Sequence, residues 1–152
     1  MFEYLDASVI VKWFKPNEEF SDEANLLLER LRKVTITYLT SEYSILEVTR
    51  ALVRGNYERQ YIDDSKDNLM ILANVGNLRL IPTSPVISLS REIMIDYNLY
   101  ASDAIHIATA IIEQCHIMWS ADRHHLKESL VNYASKNGIK ILSLDKVHDF
   151  VD

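Results

Sequence analysis

The chain reads as an α/β protein of three layers, α/β/α, with helices on both faces of a central, mostly parallel sheet of five strands. Two observations predict this. Short runs rich in β-branched and aromatic residues alternate with longer segments whose apolar residues recur at helical spacing, the pattern of a parallel sheet wrapped by crossover helices. The three glycines, Gly55, Gly76 and Gly138, each fall just past such a helical segment, where a left-handed cap is cheapest for glycine.

In order along the chain, the strand candidates are FEYL (2–5), TITYL (35–39), LRLIP (78–82), HIMWS (116–120) and IKILSL (139–144). A helix follows the first strand, capped by Asp6 or Ser8, since Asp and Ser side chains accept from the free amides of a first turn. Helical spacing then marks residues 20–33, 41–54, 60–75, 86–97, 103–115 and 123–137, with Thr40 or Ser41 capping the second of these and Ser102 the fifth. Right-handed parallel crossovers place ligands at the carboxyl ends of the strands, near the point where strand order reverses. No internal repeat or low-complexity stretch interrupts the series, and 152 residues fit a single domain spanning 1–152.

Composition narrows the function. Apolar residues at 48% and charged residues at 25% are close to globular averages, so the chain is expected to fold alone or with a copy of itself. The opening MFEYLD has no basic segment followed by a long apolar run, and no stretch approaches the length of a membrane span, which predicts a cytoplasmic protein without a membrane partner. A net charge of -6 argues against coating nucleic acid by bulk charge, yet it suits an enzyme that gathers carboxylates around divalent cations. Cys115, the one cysteine, lies in the apolar pattern AIIEQCHIM and reads as a buried, inert thiol.

Four carboxylates occupy comparable places. Asp6 lies at the end of the first strand and Asp122 just past the fourth, so the two meet if those strands are neighbours. Asp103 opens an apolar helix, and Glu47 sits among the inward residues Ile45, Val48 and Leu52 of another. Singly, each has a structural explanation: a cap, a complement to the helix dipole, or an ion pair with Arg50.

Together, YLDASVIV, SILEVTRAL, ASDAIHIATA and WSADRHH resemble the PIN-domain family, especially its VapC-type ribonuclease toxins, over residues 2 to about 144. Two departures stand out: Trp119 replaces a small or aliphatic residue, and segment 57–77 carries no family motif. The resemblance implies a metal-dependent endoribonuclease, the toxin of a toxin-antitoxin pair, with Asp6, Glu47, Asp103 and Asp122 as catalytic and metal-binding residues. The alternative is a PIN-like RNA- or protein-binding regulatory module with little turnover.

The chemistry of the donors agrees with the first reading. Converging carboxylates repel one another unless a cation neutralises them, and an all-oxygen set points to Mg²⁺ or Mn²⁺ rather than zinc. Asp6 and Asp103 are the expected direct ligands. Glu47 and Asp122 ligate directly or hold metal-bound waters, Ser8 and Ser120 orient the carboxylates, and Lys12, Arg50 and Arg123 form a basic rim for the phosphates of an RNA substrate.

The histidines are set aside at this level. His124 and His125, adjacent on an expected helix, point about 100° apart and read as exposed. His106 reads as a residue packed at its helix surface. Asp63 and Asp64 suit the first turn of a helix. A haloacid-dehalogenase-type phosphatase needs a second Asp where Ser8 stands, and a receiver domain needs an acidic pair at the end of the first strand, so both are disfavoured. The apolar and aromatic content of SKDNLMILANVG and EVTRALVRGNYERQYI predicts a homodimer through these helices, with an antitoxin-like protein as a further candidate partner.

Overall fold

The computed structural model describes residues 1–151. Its five strands, β1 (Phe2–Leu5), β2 (Thr37–Ser41), β3 (Leu78–Ile81), β4 (Ile117–Ser120) and β5 (Lys140–Ser143), form one sheet in the order β3-β2-β1-β4-β5. Every pairing is parallel, so the sheet is wholly rather than mostly so. The helices are α1 (Ala7–Phe14), α2 (Ser21–Arg32), α3 (Ser44–Arg54), α4 (Arg59–Asn74), α5 (Ile87–Tyr97), α6 (Ala101–Ile112), α7 (Glu128–Lys136) and α8 (Val147–Phe150).

Alternation along the strands sorts the core into two layers, because successive side chains point to opposite faces. Leu5, Tyr38 and Trp119 pack with Val9 and Ile10 of α1, Leu27 and Leu31 of α2 and Leu52 of α3. On the other face, Tyr4, Leu39, Met118 and Ile141 meet Ile93 of α5, Ile107 and Ala108 of α6 and Leu130 of α7. Trp119, unexpected at its position, fills the first layer and donates its indole N–H to the buried Glu3 carboxylate at 2.7 Å, while Arg30 approaches the same carboxylate at 3.2 Å. A buried carboxylate is tolerable only with such partners.

Several boundaries differ from the sequence reading for local reasons. Strand β2 begins two residues late because Val34 turns left-handed (φ 56°) and the Thr35 amide returns to Arg30 O, closing α2. Helix α7 begins at Glu128 because Asp122 draws the preceding chain into turns: His124 N donates to its carboxylate at 2.8 Å and His125 N to its carbonyl at 3.2 Å. Helix α6 starts at Ala101, so Ser102 lies inside it and is not its cap. Asp6 does cap α1, accepting from Ser8 N, and Ser41 Oγ accepts from Tyr43 N at the entry to α3. Gly76 and Gly138 take the expected positive φ, but Gly55 does not; at φ -80° it is required for space, since a Cβ there would meet the Tyr57 ring at 2.8 Å.

Candidate active site

Asp6 leaves the central strand β1 where the order reverses, with β2 on one side and β4 on the other. Its amide donates to Trp119 O at 3.0 Å, carrying the β1–β4 ladder one residue further. The carboxylate is buried, and its Oδ2 accepts from the Ser8 hydroxyl and from Ser120 Oγ at 3.1 Å. Ser8 Oγ in turn accepts from Ala121 N at 2.9 Å, and Ser120 Oγ from Asp122 N at 3.0 Å. The two serines orient the acid and tie the exit of β4 to α1.

Two imidazoles complete the arrangement. His106, fully buried on α6, places Nε2 2.5 Å from Glu47 Oε1 and 3.4 Å from Asp6 Oδ1, and shares a 2.7 Å hydrogen bond with the Tyr4 hydroxyl through Nδ1. The Tyr4 oxygen also accepts from Ser41 N at 2.9 Å. His125, equally buried, places Nδ1 3.0 Å from Ser120 Oγ and 3.5 Å from Asp6 Oδ2. Its Nε2 lies 3.4 Å from Asp103 Oδ1 without an aligned hydrogen bond, and is a buried nitrogen with no partner among the described residues. Carboxylate and imidazole therefore alternate along Glu47, His106, Asp6, His125 and Asp103, with Asp122 beside the last two.

This corrects the placement of both histidines as surface residues. It also changes the electrostatics expected of the cluster, because imidazoles stand between acids that would otherwise repel. Burial alone would raise the Asp6 pKa, but the charges of His125 and His106, with the hydrogen bonds from His125 and Ser8, hold it far below the usual carboxylate range. Burial works in the other direction on His125; there the carboxylates of Asp6 and Asp103 prevail and push it up to about 11. His106 is also raised, burial being outweighed by the Asp6 charge and by Glu47. By contrast, Cys115 is a buried thiol pushed up to about 12, chiefly by desolvation, as an inert core cysteine should be.

A groove of about 680 Å³ opens over Asp6, Glu47 and Asp122 and is lined further by Ser8, Arg50 and Arg54. Of the expected basic rim, Arg50 is at this wall. Lys12 is drawn to Glu18 at 3.6 Å, and Arg123 is exposed outside the groove lining. Arg54, one helical turn beyond Arg50, was not singled out by the sequence reading. Legible signals for the missed residues did exist: His106 stands at i+3 from Asp103 on one helix, the spacing of neighbouring side chains, and Arg54 at i+4 from Arg50. Tyr4 and His125 had none, since strand pairing and an irregular turn bring them in.

The donor set fits a divalent cation. Carboxylates of Asp6, Glu47 and Asp122 face one groove, and potential ligand atoms of Asp103, Asp122 and His125 all lie within 4.8 Å of one another. Hard oxygen donors with an unpartnered buried nitrogen beside them are the groups a metal would engage.

A three-layer fold with acids gathered at the reversal point of a parallel sheet is the architecture of a PIN domain, and the chain belongs to that family: the PIN domain model matches residues 4–128. Solved structures with the same fold include VapBC2 from Rickettsia felis bound to a DNA fragment from its promoter, at 11% identity and a TM-score of 0.61, covering 94% of this chain and 98% of that one. FitAB bound to an IR36 DNA fragment is similar at 15% identity and a TM-score of 0.64, covering 93% and 94% respectively. No curated protein matches the chain. Among the described residues, no helix is long and apolar enough to cross a membrane.

Proposed function

We propose that this PIN-domain protein is a metal-dependent endoribonuclease, the VapC-type toxin of a toxin-antitoxin pair, acting on RNA in the cytoplasm. The observation that carries the reading is the meeting of Asp6, Glu47, Asp103 and Asp122 at the carboxyl ends of the strands, with Asp6, Glu47 and Asp103 joined through buried imidazoles and Asp6, Glu47 and Asp122 facing a groove with arginines on its wall. Mg²⁺ or Mn²⁺ bound there would lower the pKa of a water nucleophile and stabilise the leaving oxygen of a phosphodiester.

The protein's own part is positioning. Ser8, Ser120 and the Ser8 amide fix Asp6, while His106, braced by Tyr4, fixes Glu47. Arg50 and Arg54 offer cations to substrate phosphates along the groove. Asp103 and Asp122 supply the remaining carboxylates. The fold shared with VapBC2 and FitAB supports an antitoxin as partner. Exposed Leu46 and Val53 on α3, with Ile71 on α4 and Val75 just past it, support a homodimer through these helices.

One observation favours the alternative of a binding module with little turnover: two imidazoles already compensate Asp6. Incubating the purified chain with unstructured and looped RNAs in Mg²⁺, Mn²⁺ or EDTA separates the two. Cleavage that needs the metal and is lost in Asp6→Asn supports the nuclease; RNA binding without cleavage in either ion supports the module.

A further inference from the structure

The row of carboxylates and imidazoles has two ends. At the Glu47 end lies the groove with Arg50 and Arg54. At the Asp103 end a second depression, of about 370 Å³, is lined by Asn98, Leu99, Tyr100, Asp103, His124 and Lys127. The two abut, since Ser102 and Asp122 line the first while their neighbours Asp103 and His124 line the second. An aromatic corner marks this second space. Tyr100 is 74% exposed and meets the exposed His124 ring at 89°, with centroids 6.2 Å apart. Both rings are fixed by their backbone: Asn98 turns left-handed (φ 52°) between α5 and α6, which holds Tyr100 at the entry to α6, and the His124 amide is bound to the Asp122 carboxylate. Tyr100 makes no capping bond to α6, so its side chain has no role in starting that helix. Lys127 is an exposed cation without an ion-pair partner among the described residues.

An enzyme that cuts within a strand must hold nucleotides on both sides of the phosphate it attacks. Arginines in the first groove serve the phosphates on one side of the acids; an aromatic face beside a cation is what an unpaired base and its phosphate require on the other. We propose that the depression at Tyr100, His124 and Lys127 is a nucleotide subsite, in which one unpaired base of a single-stranded RNA stacks on Tyr100 against the His124 edge and the adjoining phosphate meets Lys127. Half-buried Leu99 adds an apolar contact, and the exposed Asn98 amide offers both a donor and acceptors to a base edge. A duplex keeps its bases stacked inside the helix, so the subsite selects unpaired segments. The inference rests on the ribonuclease reading above and names the part of the substrate that reading leaves open.

The test separates stacking from chemistry. Short single-stranded oligoribonucleotides carrying a fluorescent purine analogue at successive positions are titrated with the full chain in EDTA, and cleavage of the same oligomers is followed in Mg²⁺ or Mn²⁺. Expected is quenching at one position by the wild type, its loss in Tyr100→Ala and its return in Tyr100→Trp, with KM raised roughly tenfold in Tyr100→Ala and kcat little changed. Lys127→Gln should lower the dependence of log affinity on log salt by about 0.7, as for one phosphate contact to a single strand. The quenching in the wild type needs no substitution, and urea unfolding shows whether each variant keeps its fold. Metal-dependent cleavage with no quenched position, or with KM unchanged in Tyr100→Ala, overturns the subsite and leaves the nuclease reading standing. Quenching that depends on Tyr100 without cleavage in either ion supports the subsite and overturns the nuclease. Neither binding nor cleavage overturns both.

Discussion

His106 Nε2 stands 2.5 Å from Glu47 Oε1, and this contact, made across two helices, holds the Glu47 carboxylate over the groove. The imidazole is itself braced from the central strand by Tyr4, whose hydroxyl also receives the Ser41 amide at the end of β2. Three separate elements thus converge on the orientation of one carboxylate.

Tyr4→Phe should therefore do more than remove an oxygen from the core. It strands the Ser41 amide and His106 Nδ1, for which a loss of about 1–3 kcal/mol is expected. RNA cleavage should fall as Glu47 loosens. Urea unfolding and initial rates measured on the same preparation check both parts; an unchanged rate would deny the relay any positioning role.

Asp103→Asn distinguishes two expectations for the cluster by the sign of its effect on stability. Four converging carboxylates suggest that removing one charge relieves repulsion and raises the melting temperature without metal. In the structure Asp103 faces His125 at 3.4 Å, so the substitution removes an attraction. Metal-free stability should fall by about 1–3 kcal/mol, as for a lost interaction with a charged group, and cleavage should cease. Melting curves in EDTA decide the sign.

The same pairing sets a pH profile for the metal-free protein. His125 is raised from 6.5 to about 11, so its contribution is complete below pH 6.5 and is lost as pH climbs through the folded value. His106, also raised, acts in the same sense. Asp6 is lowered from 3.8, so its contribution is present above pH 3.8 and is lost as pH falls toward the folded value. Melting temperature measured in EDTA should peak between these limits, and His125→Gln should flatten the alkaline decline.

Val53→Glu addresses assembly. Val53 is exposed on α3, so a charge there should alter folding stability by no more than about 0.5 kcal/mol. It should nevertheless split a dimer formed through α3 and α4. Light scattering is expected to give a dimer mass for the wild type and a monomer mass for the variant; a wild type that stays monomeric at high concentration removes the dimer.

The sheet was legible because its strands are short apolar runs set apart by amphipathic helices, and periodicity reports that directly. The acids were legible because each occupies a strand end or a helical turn with a recognisable neighbourhood. His125 was not, because its burial depends on Asp122 bending residues 122–125 away from the helix their composition suggests. Trp119 was legible as a departure but not as a solution; its reason is Glu3, 116 positions away in the chain.

The central position of β1 has a consequence for how the protein is made. The strand synthesised first pairs on one side with β2 and on the other with β4, so it waits for residues 117–120 before that side is filled. Asp103, Asp122 and His125 also arrive late, so a ribosome that has passed Glu47 has produced less than half of the cluster. An interrupted translation product carries Asp6 and Glu47 without the imidazoles that hold them. The cluster closes only when residues 103–125 have joined the strands made before them.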